Sequence, residues 1–330
     1  MPRWIPGIEP DDESNFVDRG QRRPRRLNDR HLHRPKIDRH ALRASLQGDG
    51  QRAVAADLGF ADGVDATSEE RAYLQEQLTP FLHQKKILSV LRRVKGGKEA
   101  NVYCCVAHPD TGLELIAAKV YRSREFRNLK NDSIYRQGRP VLNARGEVLD
   151  LAHDWRLAKA IAGKSRKGLE VTQTSWVAYE YQTIEQLRKA GVSVPMPIAN
   201  SGHAFLMEYW GEVGLPAPTL HLVHLDPDEA RQLYAQTIND IGVMLRLGII
   251  HGDLSAYNIL YWEGRTTLID FPQVVLADAN PDARAIFGRD VERICSYFNR
   301  YGLRADARAV AHELWASRHE PVVSAPVHSN

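Results

Sequence analysis

The chain has 330 residues, 43% of them hydrophobic and 26% charged, with 44 lysines and arginines against 41 aspartates and glutamates. This balance excludes collagen-like, coiled-coil and wholly disordered proteins, and the length suits two domains or one two-lobed domain. No apolar run approaches the roughly 20 residues that span a bilayer, and residues 1–10 lack the apolar core of a signal peptide, so we expect a cytoplasmic protein.

Most of the positive charge lies near the N-terminus. Residues 19–43 contain ten lysines and arginines and two aspartates, a net charge of +8. Because prolines are frequent and apolar residues sparse, we predict a flexible arm over residues 1–66. A mobile cationic arm suits nucleic-acid phosphates, with ribosomal RNA or a pre-ribosomal particle as a candidate partner; the alternative is a solvated tail with no dedicated partner.

The next segment predicts a helix followed by an antiparallel sheet. Apolar residues recur at three- and four-residue spacings between Ser68 and Leu88, behind two acidic residues in the first turn. Strands are predicted over 90–94, 100–107 and 113–121, and a Gly-Gly turn separates the first two.

Residues 122–170 have mixed composition, with a second flexible-looking stretch at 163–168. A helix is predicted over 176–191, and a strand over 204–209. A longer helix is predicted over 227–247, because Asp226 is a suitable N-cap and Gly248 follows its last turn.

The segment after this helix carries the clearest chemical pattern. It reads H-G-D-L-S-A-Y-N from residue 251, and an apolar strand then ends at Asp270. Phosphoryl transfer needs a carboxylate that orients the attacking hydroxyl and oxygen ligands for Mg²⁺. We therefore interpret Asp253 as the catalytic base and Asn258 and Asp270 as metal ligands.

Upstream residues complete the same chemistry. Lys119 lies in a predicted strand as A-A-K-V, a context in which a lysine reaches nucleotide phosphates. Glu180 on the next helix is the candidate counter-ion for Lys119, although an isolated helical glutamate is ordinarily solvated. The backbone amides of the Gly96-Gly97-Lys98 turn are placed to cover phosphate, although such a turn is most often only a hairpin.

Together these residues resemble the RIO family of atypical serine protein kinases, including its bacterial members. The resemblance covers about residues 69–302. It is carried by G-K-E-A-N-V-Y at 97–103, A-K-V-Y at 118–121, L-P-A-P at 215–218, H-G-D-L-S at 251–255 with Asn258, I-D-F-P-Q at 269–273, and the stretch from Arg289 to Phe298.

The resemblance implies an α+β, two-lobed protein-kinase-like fold with an antiparallel-sheet N-lobe and a mainly helical, truncated C-lobe. We expect the N-lobe at 67–210, a flexible insertion at about 123–175, and the C-lobe with its tail at 211–330. Only 60 residues of the sequence follow Asp270, and neither D-F-G nor A-P-E occurs, which agrees with a shortened C-lobe.

The family further implies ATP with Mg²⁺ or Mn²⁺, serine autophosphorylation and, in many members, a role in maturing the small ribosomal subunit. By this likeness Asp253 and Asp270 are catalytic, and in some members the residue at the position of Asp270 accepts phosphate itself in an ATPase-like cycle. The implied ATP-binding residues are Gly97, Lys98, Val102, Lys119, Glu180, Glu208 and Trp210, the last two through backbone groups of a hinge.

Two other functions stay open at this point. Small-molecule kinases of the aminoglycoside or choline type also use an H-G-D-L loop, but they commonly have histidine where Ser255 stands and lack the G-K-E-A-N-V-Y turn. An RNA-binding assembly factor that uses ATP only as a conformational ligand would explain the basic arm. The insertion at 123–175 is longer and more basic than is usual in the family.

Overall fold

The computed structural model describes residues 58–61, 64, 66–97, 99–122 and 139–320. The basic stretch 19–43 and Lys98 lie outside the described residues. Within the described ranges, no helix is at once long and apolar enough to cross a lipid bilayer.

The N-terminal part is built on a six-stranded sheet with the strand order β1-β2-β3-β4-β6-β5. Its strands are β1 (Gly59–Phe60), β2 (Ile87–Gly96), β3 (Ala100–Ala107), β4 (Leu115–Tyr121), β5 (Pro197–Asn200) and β6 (Ala204–Glu208). The pairs from β2 onward are antiparallel, and β1 pairs with β2 in parallel. Strand β1 lies in the region that we predicted to be part of the flexible arm, so that prediction is wrong for Gly59 and Phe60.

Helix α1 (Ser68–His83) covers this sheet and begins as predicted. The Thr67 hydroxyl accepts from the Glu70 amide, and the Glu70 carboxylate accepts from the Thr67 amide, which forms a capping box. The helix ends at His83, and Leu88, which we included in the predicted helical pattern, belongs to β2. Lys85 between them has a φ of +53°, which a continuing helix does not allow.

Between β4 and β5, residues 139–196 of the described structure form two helices. Helix α2 (Trp155–Ala162) and helix α3 (Arg166–Lys189) are joined by a short turn at the position where we predicted flexibility, and α3 begins ten residues before the predicted start at residue 176. The predicted insertion therefore contains regular structure in its described part.

The C-terminal part is mainly helical. Helix α4 spans Pro227–Arg246, with the Asp226 side chain capping its N-terminus as predicted. The remaining elements are β7 (Gly211–Glu212), β8 (Leu215–Pro216), β9 (Ile249–Ile250), β10 (Ile259–Trp262), β11 (Arg265–Leu268), β12 (Val275–Leu276), α5 (Ala283–Asn299) and α6 (Ala307–Ala316).

Buried apolar side chains form two clusters. One lies between α1 and the sheet and includes Phe81, Ile116 and Leu206. The other joins α3 to α4, α5 and the short hairpins of the C-terminal part, and includes Phe271 and Phe298. The surface between these clusters is where the predicted site residues meet.

Candidate active site

Lys119 lies on β4, in the middle of the sheet, with its ammonium group directed between the two parts of the chain. The residue is only 6% exposed. Its Nζ donates to Glu180 Oε1 and to Asp270 Oδ1, at 2.7 Å in each case. Two carboxylates thus contact one buried cation, although they lie 61 and 151 positions after Lys119 in the sequence.

Glu180, on α3, is 1% exposed and links the lysine to the segment that follows Asp270. Its Oε1 accepts the Lys119 ammonium and also the Phe271 amide at 3.1 Å. A buried carboxylate is stable only when such donors compensate its charge. The helix, the sheet and the loop are therefore locked together at one oxygen atom.

The charges of this triad depend on one another. Burial alone would lower the pKa of Lys119, but the carboxylates of Asp270 and Glu180 outweigh burial and raise it above its ordinary value. Burial likewise opposes ionisation of Asp270, yet the adjacent ammonium holds the pKa of this carboxyl below its usual range. Burial raises the pKa of Glu180, against the attraction of Lys119. Lys119 is therefore a permanent cation in this site.

Asp270 also has an unusual backbone. Its φ is +73°, in the left-handed region that non-glycine residues rarely adopt. Such conformations persist only where the surroundings hold them, and here the amide of the next residue is bound to Glu180. The side chain remains 41% exposed and can reach a ligand.

The loop from His251 to Asn258 forms the opposite wall. Gly252 has a φ of +84°, and a β-carbon there would lie 2.2 Å from the Gln273 carbonyl oxygen, so only glycine fits. The imidazole Nε2 of His251 lies 3.1 Å from the Ile269 carbonyl oxygen. Both contacts place the loop against the segment that carries Asp270.

Asp253 and Asn258 are in direct contact at the end of this loop. The Asn258 amide donates to the Asp253 carbonyl oxygen at 2.8 Å, with Asp253 Oδ2 at 3.4 Å. Asn258 is 6% exposed, so its orientation is fixed by packing as well as by these hydrogen bonds.

Helix α5 supports the loop through residues to which the sequence assigned no role. Asp290 is buried, and its carboxylate accepts from the amides of Gly252 at 2.8 Å and Leu254 at 3.2 Å. Arg289 donates to the Gly252 carbonyl oxygen. One turn further along, Arg293 Nη1 lies 2.8 Å from Asp253 Oδ1. The sequence signal for this support was the stretch from Arg289 to Phe298, which carries part of the family resemblance.

The residues before and within α3 hold the segment after Asp270 in the same way. The Trp176 indole donates to the Pro272 carbonyl oxygen at 3.1 Å, and the guanidinium of Arg139 donates to the same oxygen and to the Val274 carbonyl oxygen. Pro272 and these donors leave this segment little conformational freedom.

A cavity of about 330 Å³ lies between these walls. Among the predicted residues, those that line it are Gly97, Val102, Lys119, Glu208, Trp210, Asp253 and Asp270. Glu180 and Asn258 do not line the cavity. Each contacts a residue that does: Glu180 binds Lys119, and Asn258 binds Asp253. Lys98 is outside the described residues, so its placement stays a prediction.

The predicted hinge also borders the cavity. The Glu208 amide donates to the Met196 carbonyl oxygen at 2.8 Å, and its carboxylate accepts the Met196 amide at 3.1 Å. The carbonyl oxygen of Trp210 accepts from the Ala217 amide at 2.9 Å. These hydrogen bonds hold the backbone of the hinge in place. That the hinge binds the adenine of ATP stays a prediction.

The chemistry of the two predicted metal ligands fits a hard divalent cation. Asn258 and Asp270 supply an amide and a carboxylate, and among the described residues no group of three or more His, Cys, Asp or Glu side chains could hold a metal without other ligands. Mg²⁺ is commonly bound by one or two carboxylates together with substrate phosphates and water. The site therefore suits a cation that arrives with a phosphate ligand.

Several known proteins are similar to this chain. The family model of the RIO domain matches residues 156–310. The RIO-type serine/threonine-protein kinase Rio1 of Haloferax volcanii is 30% identical over 64% of this chain and 64% of its own length. The serine/threonine-protein kinase rio2 of Schizosaccharomyces pombe is 31% identical over 65% of this chain and 53% of its own length. Human serine/threonine-protein kinase RIO1 is 28% identical over 71% of this chain and 39% of its own length.

These alignments span between 39% and 64% of the relatives' own lengths. A crystal structure of the Rio2 kinase–ADP/Mg²⁺–phosphoaspartate complex from Chaetomium thermophilum superposes with a TM-score of 0.53, covering 86% of this chain and 76% of that one at 21% identity. This likeness establishes the two-lobed protein-kinase-like fold that the sequence predicted. Residues 156–310 of the chain thus match the RIO domain, and RIO-type serine/threonine-protein kinases are its homologues.

Proposed function

We propose that this chain is an ATP-dependent serine kinase that binds ATP with Mg²⁺ or Mn²⁺ in the cavity and phosphorylates serine, including serine of its own chain. The observation that carries the proposal is the meeting of Lys119, Glu180 and Asp270 at a cavity whose other wall presents Asp253. The match to the RIO domain favours this function over a small-molecule kinase.

In this proposal each residue has a separate task. Lys119 binds the non-transferred phosphates while Glu180 retains its charge partner. Asp253 accepts a hydrogen bond from the attacking hydroxyl and aligns it with the γ-phosphorus. Asn258 and Asp270 hold the divalent cation, which when bound neutralises phosphate charge.

A second route rests on the phosphoaspartate named in the Chaetomium structure. If Asp270 is the acceptor, one of its oxygens bonds to the γ-phosphorus as the bond to the ADP oxygen breaks, and ADP leaves. Water then attacks this phosphorus, which releases inorganic phosphate and restores the carboxylate. This cycle is an ATPase and consumes no protein hydroxyl.

Incubation of the purified chain with γ-labelled ATP and Mg²⁺ tests the proposal. We expect self-labelling that is lost in Asp253→Ala and in Asp270→Ala, whereas Asp278→Ala, at an exposed position away from the cavity, retains it. Hydroxylamine removes label from an acyl phosphate and leaves phosphoserine intact, which separates the two routes. Unchanged labelling in both cavity variants would contradict the proposed function.

The arm over 19–43 is proposed to bind ribosomal RNA or a pre-ribosomal particle, on the strength of its +8 charge. Replacement of Arg22, Arg23, Arg25 and Arg26 by glutamine should weaken salt-sensitive cosedimentation with ribosomal particles. This variant leaves β1 intact, so an unchanged cosedimentation would exclude the arm as the contact.

A further inference from the structure

The helical hairpin of α2 and α3 carries a dense set of cations outside the active site. Residues 155–169 contain five basic residues and no acidic one: Arg156, Lys159, Lys164, Arg166 and Lys167. All five are exposed. The segment is therefore a local positive surface on a chain whose residues 44–330 are nearly neutral.

These cations are not used to stabilise the fold. In the ranges that the structure describes, none of the five lies within 4.0 Å of a carboxylate oxygen. Arg166 and Lys167 also occupy the first turn of α3, which contains no acidic residue, and positive charge at a helix N-terminus is unfavourable. The charge at the tip thus weakens the helix that carries it and points to a ligand that compensates it.

The conformation of the tip supports the same conclusion. Lys164 has a φ of +50° just beyond the C-terminus of α2, a position where glycine is usual. A lysine there costs conformational free energy but adds an exposed cation to the tip.

The hairpin is rigid enough to present these charges in a fixed pattern. A β-carbon on Gly168 would lie 2.0 Å from the Ala160 carbonyl oxygen, so the two helices meet at backbone distance. The amide and the hydroxyl of Ser165 both donate to this oxygen, at 3.0 and 3.2 Å. The packing of α2 against α3 therefore fixes the backbone positions of the five basic residues.

One large aromatic side chain lies on this surface. Trp155 is 64% exposed, although tryptophan is usually well buried. The guanidinium of Arg156 lies 5.7 Å from the centre of its ring, and Lys159 is one helical turn away on the same face. An exposed ring among cations matches the way proteins bind single-stranded nucleic acid, with bases stacked on aromatic rings and phosphates held by basic residues.

We propose that this basic hairpin, residues 155–167, binds single-stranded RNA. Its cations hold successive phosphates, and Trp155 stacks on a base. An anionic membrane fits the same charges less well, because insertion needs an apolar surface and Trp155 is the only large hydrophobic residue of the hairpin that is strongly exposed. The surface is separate from the active site and independent of the proposed kinase activity.

Fluorescence anisotropy with a labelled 20-nucleotide RNA of mixed sequence tests the proposal on the full chain. The test variant combines Lys164→Glu, Arg166→Glu and Lys167→Glu. The matched control combines Lys189→Glu, Arg304→Glu and Arg308→Glu, at exposed positions elsewhere, and changes the net charge equally. Glutamate in the first turn of α3 favours the helix, so unfolding would not explain a loss of binding.

We expect the hairpin variant to bind at least tenfold more weakly at 100 mM salt, with a slope of log K against log salt smaller by about two. The control should change by less than twofold, since both variants keep the N-terminal arm. Trp155→Ala should weaken binding about fivefold or more with the slope unchanged. An equal loss in both triple variants, equal binding of an RNA duplex, or preferential binding to phosphatidylserine vesicles with no effect of Trp155→Ala would overturn the proposal.

Discussion

The two carboxylates that bind Lys119 differ in exposure. Glu180 is almost completely buried, whereas the Asp270 side chain is 41% exposed. An exposed carboxylate keeps part of its hydration when it loses its partner, but a buried one does not. In the proposed function, Lys119 exchanges Asp270 for a phosphate ligand while it stays bound to Glu180. Asp270 is then free to bind a cation. The Lys119–Asp270 ion pair therefore positions both side chains before a ligand binds and does not prevent binding.

This difference predicts how the pair responds to substitution. Lys119→Met should abolish phosphorylation and also destabilise the fold by about 3 kcal/mol, because Glu180 is left buried without a counter-charge. Adding Glu180→Leu should restore most of the free energy of unfolding, measured by urea denaturation, but none of the activity.

The matched comparison is Asp270→Asn, which removes the more exposed carboxylate. We expect less than about 1 kcal/mol of destabilisation from it, because Glu180 still neutralises Lys119 and the Asp270 carboxylate is itself partly solvated. If Lys119→Met proved as stable as the unsubstituted chain, the buried pair would not be coupled as the geometry indicates.

The sequence was sufficient to predict site residues that lie close together along the chain. Asp253, Asn258 and Asp270 lie within one stretch of strand, turn and strand, so their proximity follows from the topology. Asp290 and Arg293 were assigned no role, because a helix 40 residues downstream reveals its contacts only once the chain is folded.

At the scale of elements, the main error was the start of α3. Gly168 and the basic residues around it look like a break in a helix, since glycine costs about 1 kcal/mol there. In the structure this glycine allows α2 to pack at backbone distance, so tertiary contact outweighs the local preference. Strand β1 was missed for a related reason: two residues carry no periodicity, and their pairing with β2 is set by the sheet.

Helix α4 carries a titratable group that is not used by the active site. Asp240 is 3% exposed, and burial raises its pKa to about 7, against a hydrogen bond from the backbone of Ser193. One of its carboxylate oxygens has no hydrogen-bond partner among the described residues. The native state therefore keeps this carboxyl protonated over a pH range in which the unfolded chain is ionised.

Stability should fall as the pH rises from about 4 to about 7, since the unfolded state releases this proton first. Asp240→Asn, which cannot ionise, should remove up to ~4 kcal/mol of this dependence and raise the melting temperature at pH 8 more than at pH 5. Asp228→Asn on the same helix, where the side chain is exposed, is the control. Parallel melting curves for Asp240→Asn and the unsubstituted chain across this range would refute the assignment.

At the scale of the whole molecule, the cavity separates two independent cores. Val102 and Ala117 reach it from the sheet, and Leu260 and Ile269 from the C-terminal part. The resemblance of the sequence motifs to the RIO family was enough to predict two lobes. The dimensions of the cavity and the bracing of its walls by Arg139 and Trp176 depend on contacts between distant segments, which the sequence pattern does not contain.

A ligand that touches both lobes should stabilise the whole chain and not one core alone. ADP with Mg²⁺ at 100 times its dissociation constant adds about 2.7 kcal/mol, which for a chain of this size raises the melting temperature by roughly 4–5 °C. EDTA should remove much of this shift. In Asp270→Asn the shift should become insensitive to EDTA, because the carboxylate that holds the cation is gone, whereas Asp278→Asn at an exposed position should behave as the unsubstituted chain does. A shift that ignores EDTA in the unsubstituted chain would mean that nucleotide binds without a cation, and the role proposed for Asn258 and Asp270 would then be wrong.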